Sequence, residues 1–87
     1  MIKSVIIEDE KTALDNLVHH IQLTREPISI VAELETVEDS VNWLLNNPAP
    51  DLIFMDIHLK DGISFSIFER VKVSSPIIFI TAFDNFM

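Results

Sequence analysis

Three stations along the chain carry side chains able to do chemistry, and each directly follows an apolar segment. Glu8, Asp9 and Glu10 follow residues 2–7, Asp56 follows residues 52–55, and Thr81 and Ala82 follow residues 77–80. If the first and third of these segments are neighbouring strands, Glu8, Asp9 and Asp56 converge on one small volume. Three carboxylates there repel one another, and a hard divalent cation relieves the repulsion. Mg²⁺ is the fitting ion: it takes oxygen ligands in an octahedron, uses few carboxylates and keeps several waters. A small hydroxyl, Thr81, at the same rim adds a hydrogen-bond donor. His19 and His20 are adjacent on a helix-patterned stretch, so they diverge and cannot chelate one ion as an i, i+4 pair would. Glu10 and Asp61 are expected to be solvated loop acids or helix caps.

Elements that put acids at one rim must be strands running in one direction. Residues 2–7 are rich in β-branched side chains and predict a strand. Residues 12–23 place Ala13, Leu14, Leu17, Val18 and Ile21 on one helical face. After Pro27, residues 28–34 predict a second strand. Thr36 and Asp39 form a capping-box-like start, with Asp in the place of Glu or Gln. The stripe Val37, Val41, Leu44 and Leu45 carries a helix to Asn47, where Pro48 and Pro50 stop it.

Residues 51–55 predict a third strand with no polar alternation, hence buried on both faces. After Gly62, residues 64–72 predict a helix with Phe65, Phe68 and Val71 inward. Pro76 then opens a fourth strand over residues 77–80. The β-α-β-α-β-α-β order implies an α/β fold: a doubly wound parallel sheet with right-handed crossovers. Ligands of such sheets bind beyond the C-terminal strand ends, which is where the acids lie.

Composition narrows the chemistry further. The 87 residues hold 14 acidic and 6 basic side chains, for a net charge of −8, with one glycine and no cysteine. One glycine excludes both G-x-G-x-x-G and the P-loop. Without cysteine there is no disulfide, thiolate metal site or cysteine nucleophile. The acidic balance argues against nucleic acid as a ligand of this segment. The chain is 48% hydrophobic, yet its apolar runs fall far short of the ~20 residues that span a bilayer. No signal peptide is evident either, and a cytoplasmic location away from membranes is expected.

The motifs VIIEDE (residues 5–10), DLIFMDIHLKDG (51–62) and PIIFITAFD (76–84), in this order, resemble those of response-regulator receiver domains of two-component systems. Phe65 and the ITAFD stretch are most similar to receivers of the LytTR class, whose parent proteins carry a separate DNA-binding domain. The resemblance implies a flavodoxin-like sheet of order 2-1-3-4 with three helices. It implies that Asp56 is the phosphoacceptor, taking a phosphoryl group from a sensor histidine kinase with Mg²⁺ as cofactor. Asp9 would bind the ion directly, Glu8 through water, and His58 by its backbone carbonyl. Thr81 would turn toward the phosphoryl oxygens, Ala82 would keep the site open and offer its N–H, and Gly62 would take a positive φ after the phosphorylation loop.

Receivers have five strands and five helices. Residues 1–87 therefore correspond to the N-terminal portion of a receiver, lacking the final helix-strand-helix and the lysine of the fifth strand. Slow phosphorylation, weakly coupled to output, is the expectation. A bare fourth-strand edge also suggests a homodimer, so a purely dimerising interaction module is the alternative function. A haloacid-dehalogenase-type phosphatase would need a second acid where the chain has His58. A flavodoxin-like FMN site would be repelled by the acids after the first strand. The expected role is therefore that of a signalling phosphoacceptor and not of a conventional enzyme.

Overall fold

The computed structural model describes residues 1–80. The chain forms β1 (Ile2–Ile7), α1 (Lys11–Leu23), β2 (Ile28–Leu34), α2 (Val37–Asn46), β3 (Leu52–Asp56), β4 (His58–Leu59), β5 (Gly62–Ile63), a 3-10 turn at Ser64–Ser66, α3 (Ile67–Arg70) and β6 (Ile77–Ile80). Strands β2-β1-β3-β6 make one parallel sheet in that spatial order. The expected order 2-1-3-4 is therefore present, with β6 as the fourth strand of the sheet. A two-stranded antiparallel hairpin, β4-β5, which the sequence reading did not anticipate, sits between β3 and α3.

Alternation along the strands sorts the core into two layers, because successive side chains of a strand point to opposite faces. Val5 and Ile7 of β1 with Ile53 and Met55 of β3 pack against Val37 and Val41 of α2 and Ile67 of α3. The intervening Ile6 and Phe54 pack on the other face against Ile21 of α1, with Leu14, Leu17 and Val18 around them. Helices thus cover both faces, as a buried parallel sheet requires. In α2, Val37 and Val41 are buried as expected, but Leu45 is exposed and Trp43 packs at the margin of the core instead.

The third helix departs most from expectation. Of the anticipated residues 64–72, only a 3-10 turn and the single α-turn Ile67–Arg70 are helical. Phe65 and Phe68 are 47% and 38% exposed, whereas Ile67 is 0% exposed. The hairpin sets the phase: the Ser64 N–H donates to the Ile57 carbonyl at 2.8 Å, turning the fully buried Ser64 inward. The inward stripe is then Ser64, Ile67 and Val71, at i, i+3 and i+7. Val71 leaves the helix in an extended conformation. With Val73 it continues along the core in strand-like alternation, which ends the helix early. On β6 the side chains of Ile78 and Phe79 are about half exposed, in keeping with its place at the edge of the sheet among the described residues.

Candidate functional site

Register alone brings the acids together. Ile7 pairs with Met55 across β1 and β3, so the next residue on each strand sets Glu8 beside Asp56. The Glu8 N–H continues the ladder on the other side, donating to the Leu34 carbonyl at 2.9 Å. Asp56 in turn pairs with Ile80 of β6. Carboxylate oxygens of Glu8, Asp9 and Asp56 lie within 4.8 Å of one another. This is the convergence expected from the sequence.

The three acids are not equivalent. Glu8 is 4% exposed, while Asp9 and Asp56 are half-buried. Burial, reinforced by the neighbouring Asp56 and Asp9 charges and by a hydrogen bond to Asp56, pushes the Glu8 carboxyl up to about 7. The Glu10 N–H, donating to Glu8 Oε2 at 3.1 Å, opposes that rise without cancelling it. Asp56 Oδ1 accepts the N–H of Ile57 at 2.7 Å, which fixes the carboxylate plane.

The oxygen spacing fits a small hard cation. At Mg²⁺–O distances of about 2.1 Å, octahedral ligands stand roughly 3 Å apart when cis and 4 Å when trans. Oxygens spread over at most 4.8 Å match that span with one carboxylate acting through a water. The donor set is all oxygen, and the buried, proton-holding Glu8 is the carboxylate an added positive charge would relieve most.

His58 lies two residues beyond Asp56, as the first residue of β4, with an exposed side chain. It faces Ile63 across the hairpin. The bond from Ser64 N–H to the Ile57 carbonyl marks that pair as non-hydrogen-bonded. The His58 carbonyl is thus not spent in the hairpin ladder. Gly62 has φ +147°, the positive value expected of it. Thr81 and Ala82 lie outside the described residues.

Glu10 and Asp61 stand apart from the cluster, as caps. Glu10 is the N-cap of α1, its carboxylate accepting the N–H groups of Thr12 and Ala13 at 3.1 Å each. Asp61, at the hairpin turn, accepts from the N–H groups of Val37 and Glu38 at 2.7 and 3.1 Å. It caps a helix 24 residues earlier in the chain. The local signal for the hairpin is Gly62 closing the short Lys60-Asp61 turn, where it pairs with Leu59. Nothing local reports Asp61's helical partner. No helix among the described residues is long and apolar enough to cross a membrane.

Comparison with known proteins agrees with this geometry. The sequence profile of the response regulator receiver domain matches residues 5–87. The Sensory transduction protein LytT of Bacillus anthracis is 35% identical over 99% of this chain, and that of Bacillus subtilis is 32% identical over 99%. The chain spans about a third of the length of these curated relatives, 35% and 36% respectively. Among solved structures, the MaeR response regulator bound to beryllium trifluoride superposes with a TM-score of 0.78. It is 25% identical, and the match covers 94% of this chain and 68% of that one. The non-phosphorylated HemR receiver domain of Leptospira biflexa shares the fold, with a TM-score of 0.67 at 23% identity, covering 94% of this chain and 65% of that one.

Proposed function

Since this chain belongs to the response regulator receiver domain family, we propose that it accepts a phosphoryl group on Asp56 from a sensor histidine kinase. The observation that carries this reading is the convergence of Glu8, Asp9 and Asp56 at the C-terminal rim of a parallel sheet. In the transfer, an Asp56 carboxylate oxygen attacks phosphorus in line, the P–N bond to the donor imidazole breaks, and an acyl phosphate forms. The protein's task is positioning and charge compensation. The Ile57 N–H holds Oδ1 of Asp56 and so orients the carboxylate. Glu8, buried beneath it, holds or yields a proton as the local charge changes.

Asp9, Asp56 and the His58 carbonyl would hold Mg²⁺, with Glu8 acting through water. When bound, the ion neutralises the approach of the anionic donor. Thr81 and Ala82 would supply a hydroxyl and an N–H to the phosphoryl oxygens. The similarity to MaeR, whose structure carries beryllium trifluoride, a phosphoryl mimic, supports the reading. A cytoplasmic location and a parent protein with a DNA-binding output domain belong to the same proposal.

Incubation with acetyl phosphate and Mg²⁺, followed by intact mass measurement, tests it. One phosphoryl increment that Asp56→Asn abolishes is expected. An increment that survives Asp56→Asn, or none in the wild type, overturns it.

A second reading, a dimerising interaction module, is favoured by β6 as the edge strand among the described residues and by the half-exposed Ile78 and Phe79. An unprotected apolar edge strand is a template for pairing with a second copy. Light scattering that finds only monomer at high concentration refutes it.

A further inference from the structure

The hairpin β4-β5 follows Asp56 after a single residue and returns its chain to α3. Its tip meets the segment that starts α2. Asp61 accepts from Val37 N–H at 2.7 Å and from Glu38 N–H at 3.1 Å, one with each carboxylate oxygen. These are two of the N–H groups that a helix start leaves without intrahelical partners. A third, that of Asp39, goes to the Thr36 hydroxyl at 3.0 Å. The helix start is thus capped twice, once by its own Thr36 and once by a residue from the hairpin.

Two more contacts converge there. Lys60, also at the hairpin tip, stands 3.8 Å from Glu35, just before the Thr36 cap. Arg70, at the end of α3, makes a two-pronged contact with Glu38, its Nη2 donating to Oε1 at 3.0 Å. The hairpin and α3, consecutive in sequence, are both tied to the start of the distant α2. The Asp61 bonds draw its carboxyl below the usual range, so the bonds are made by the charged form at neutral pH.

We propose that Asp61 is a positioning residue that latches the hairpin to the start of α2 and so fixes the loop presenting the His58 carbonyl beside the acidic cluster. The cation part of this proposal rests on the reading of the site given above; the latch itself does not. Between Asp56 and the latch there are only four residues, and the Ser64-to-Ile57 bond closes the hairpin behind them. A carbonyl in so short a span has its place set by the two ends. One end is the β3 ladder, and the other is Asp61.

The test compares wild type, Asp61→Ala, Asp61→Asn and, as a control at the same tip, Lys60→Ala. Amide hydrogen exchange of Val37, Glu38 and Ser64 reads the latch without any cation. Calorimetric titration with Mg²⁺ reads the site. In Asp61→Ala, exchange at the three amides is expected to accelerate about tenfold relative to β1 and β3 amides. Mg²⁺ affinity is expected to fall roughly tenfold, the scale seen when a group orienting a metal ligand is removed. Asp61→Asn keeps an acceptor for Val37 and is expected to restore most of both, and Lys60→Ala to change neither by more than about twofold.

Unchanged exchange at Ser64 in Asp61→Ala overturns the latch. Faster exchange with undiminished Mg²⁺ affinity overturns its role in placing the loop. Equal losses in the Asn and Ala variants assign the effect to net charge, and also overturn it. A wild-type chain that binds no Mg²⁺ refutes the reading of the site, and exchange then decides the latch alone.

Discussion

Glu8 makes the stability of this fold fall as the solution becomes less acidic, across a window the structure defines. Its carboxyl is pushed up to about 7 from 4.5, chiefly by burial. Below pH 4.5 the folded and unfolded chains both hold the proton, and Glu8 costs nothing. Between 4.5 and 7 the unfolded chain releases it while the folded chain keeps it, so stability drops as pH rises. Above 7 the full cost is present. The shift corresponds to a ceiling of roughly 3–4 kcal/mol at about 1.4 kcal/mol per pH unit. Asp56 and Asp9 share in producing it, so the measured loss should fall below that ceiling.

For a domain of this size each kcal/mol moves the melting temperature by about 4–8 °C. Thermal melts followed by circular dichroism at pH 5.5 and 8, without divalent ions, should show the wild type lower by roughly 10 °C at pH 8. Glu8→Gln keeps an acceptor for the Glu10 N–H and carries no charge. It should remove most of that difference and melt higher than wild type at pH 8. Added Mg²⁺ at a hundredfold over its dissociation constant should return about 2.7 kcal/mol to the wild type, and less to the variant. Glu38 and Asp61, both held below their usual values, exert their pH effect in more acidic solution and leave this window clear. Equal pH slopes in wild type and Glu8→Gln would refute the reasoning, because the cost would then not reside at Glu8.

Three further outcomes are expected. Ile67→Ala should cost about 2–4 kcal/mol in urea denaturation, since Ile67 is fully buried, and Phe68→Ala at most about half as much; the reverse ranking would restore the helical phase in which the phenylalanines face inward. Ser64→Ala should be neutral or stabilising by up to about 1 kcal/mol, because the buried Ser64 hydroxyl has no hydrogen-bond partner among the described residues, and a clear loss in the same denaturation would reveal a partner. Glu10→Ala should lower stability by about 1 kcal/mol through loss of two N-cap bonds, while leaving Mg²⁺ affinity in calorimetry within about threefold of wild type.

What was legible in the sequence is what strand direction and short-range periodicity encode. Residues 52–55 are apolar without alternation, and strands separated by helices run parallel, so the sheet sends Glu8, Asp9 and Asp56 to the same rim. Caps were legible for the same reason: Glu10 and Thr36 act on N–H groups two and three residues away. The phase of α3 was not legible. Phe65, Phe68 and Val71 satisfy a helical stripe as well as Ser64, Ile67 and Val71 do, and Phe is the larger hydrophobic prize. The choice is made by the bond from Ser64 to Ile57, which exists only once the hairpin has closed.

The hairpin was hidden because each of its strands has two residues, too few for any alternation to show. Asp61 was correctly placed among caps and loop acids, yet its partners lie 23 and 24 residues away, beyond any local pattern. The hairpin, the partners of Asp61 and the phase of α3 share one cause. They depend on contacts made by the segment after Asp56, those of Asp61 with the start of α2 and of Ser64 with Ile57.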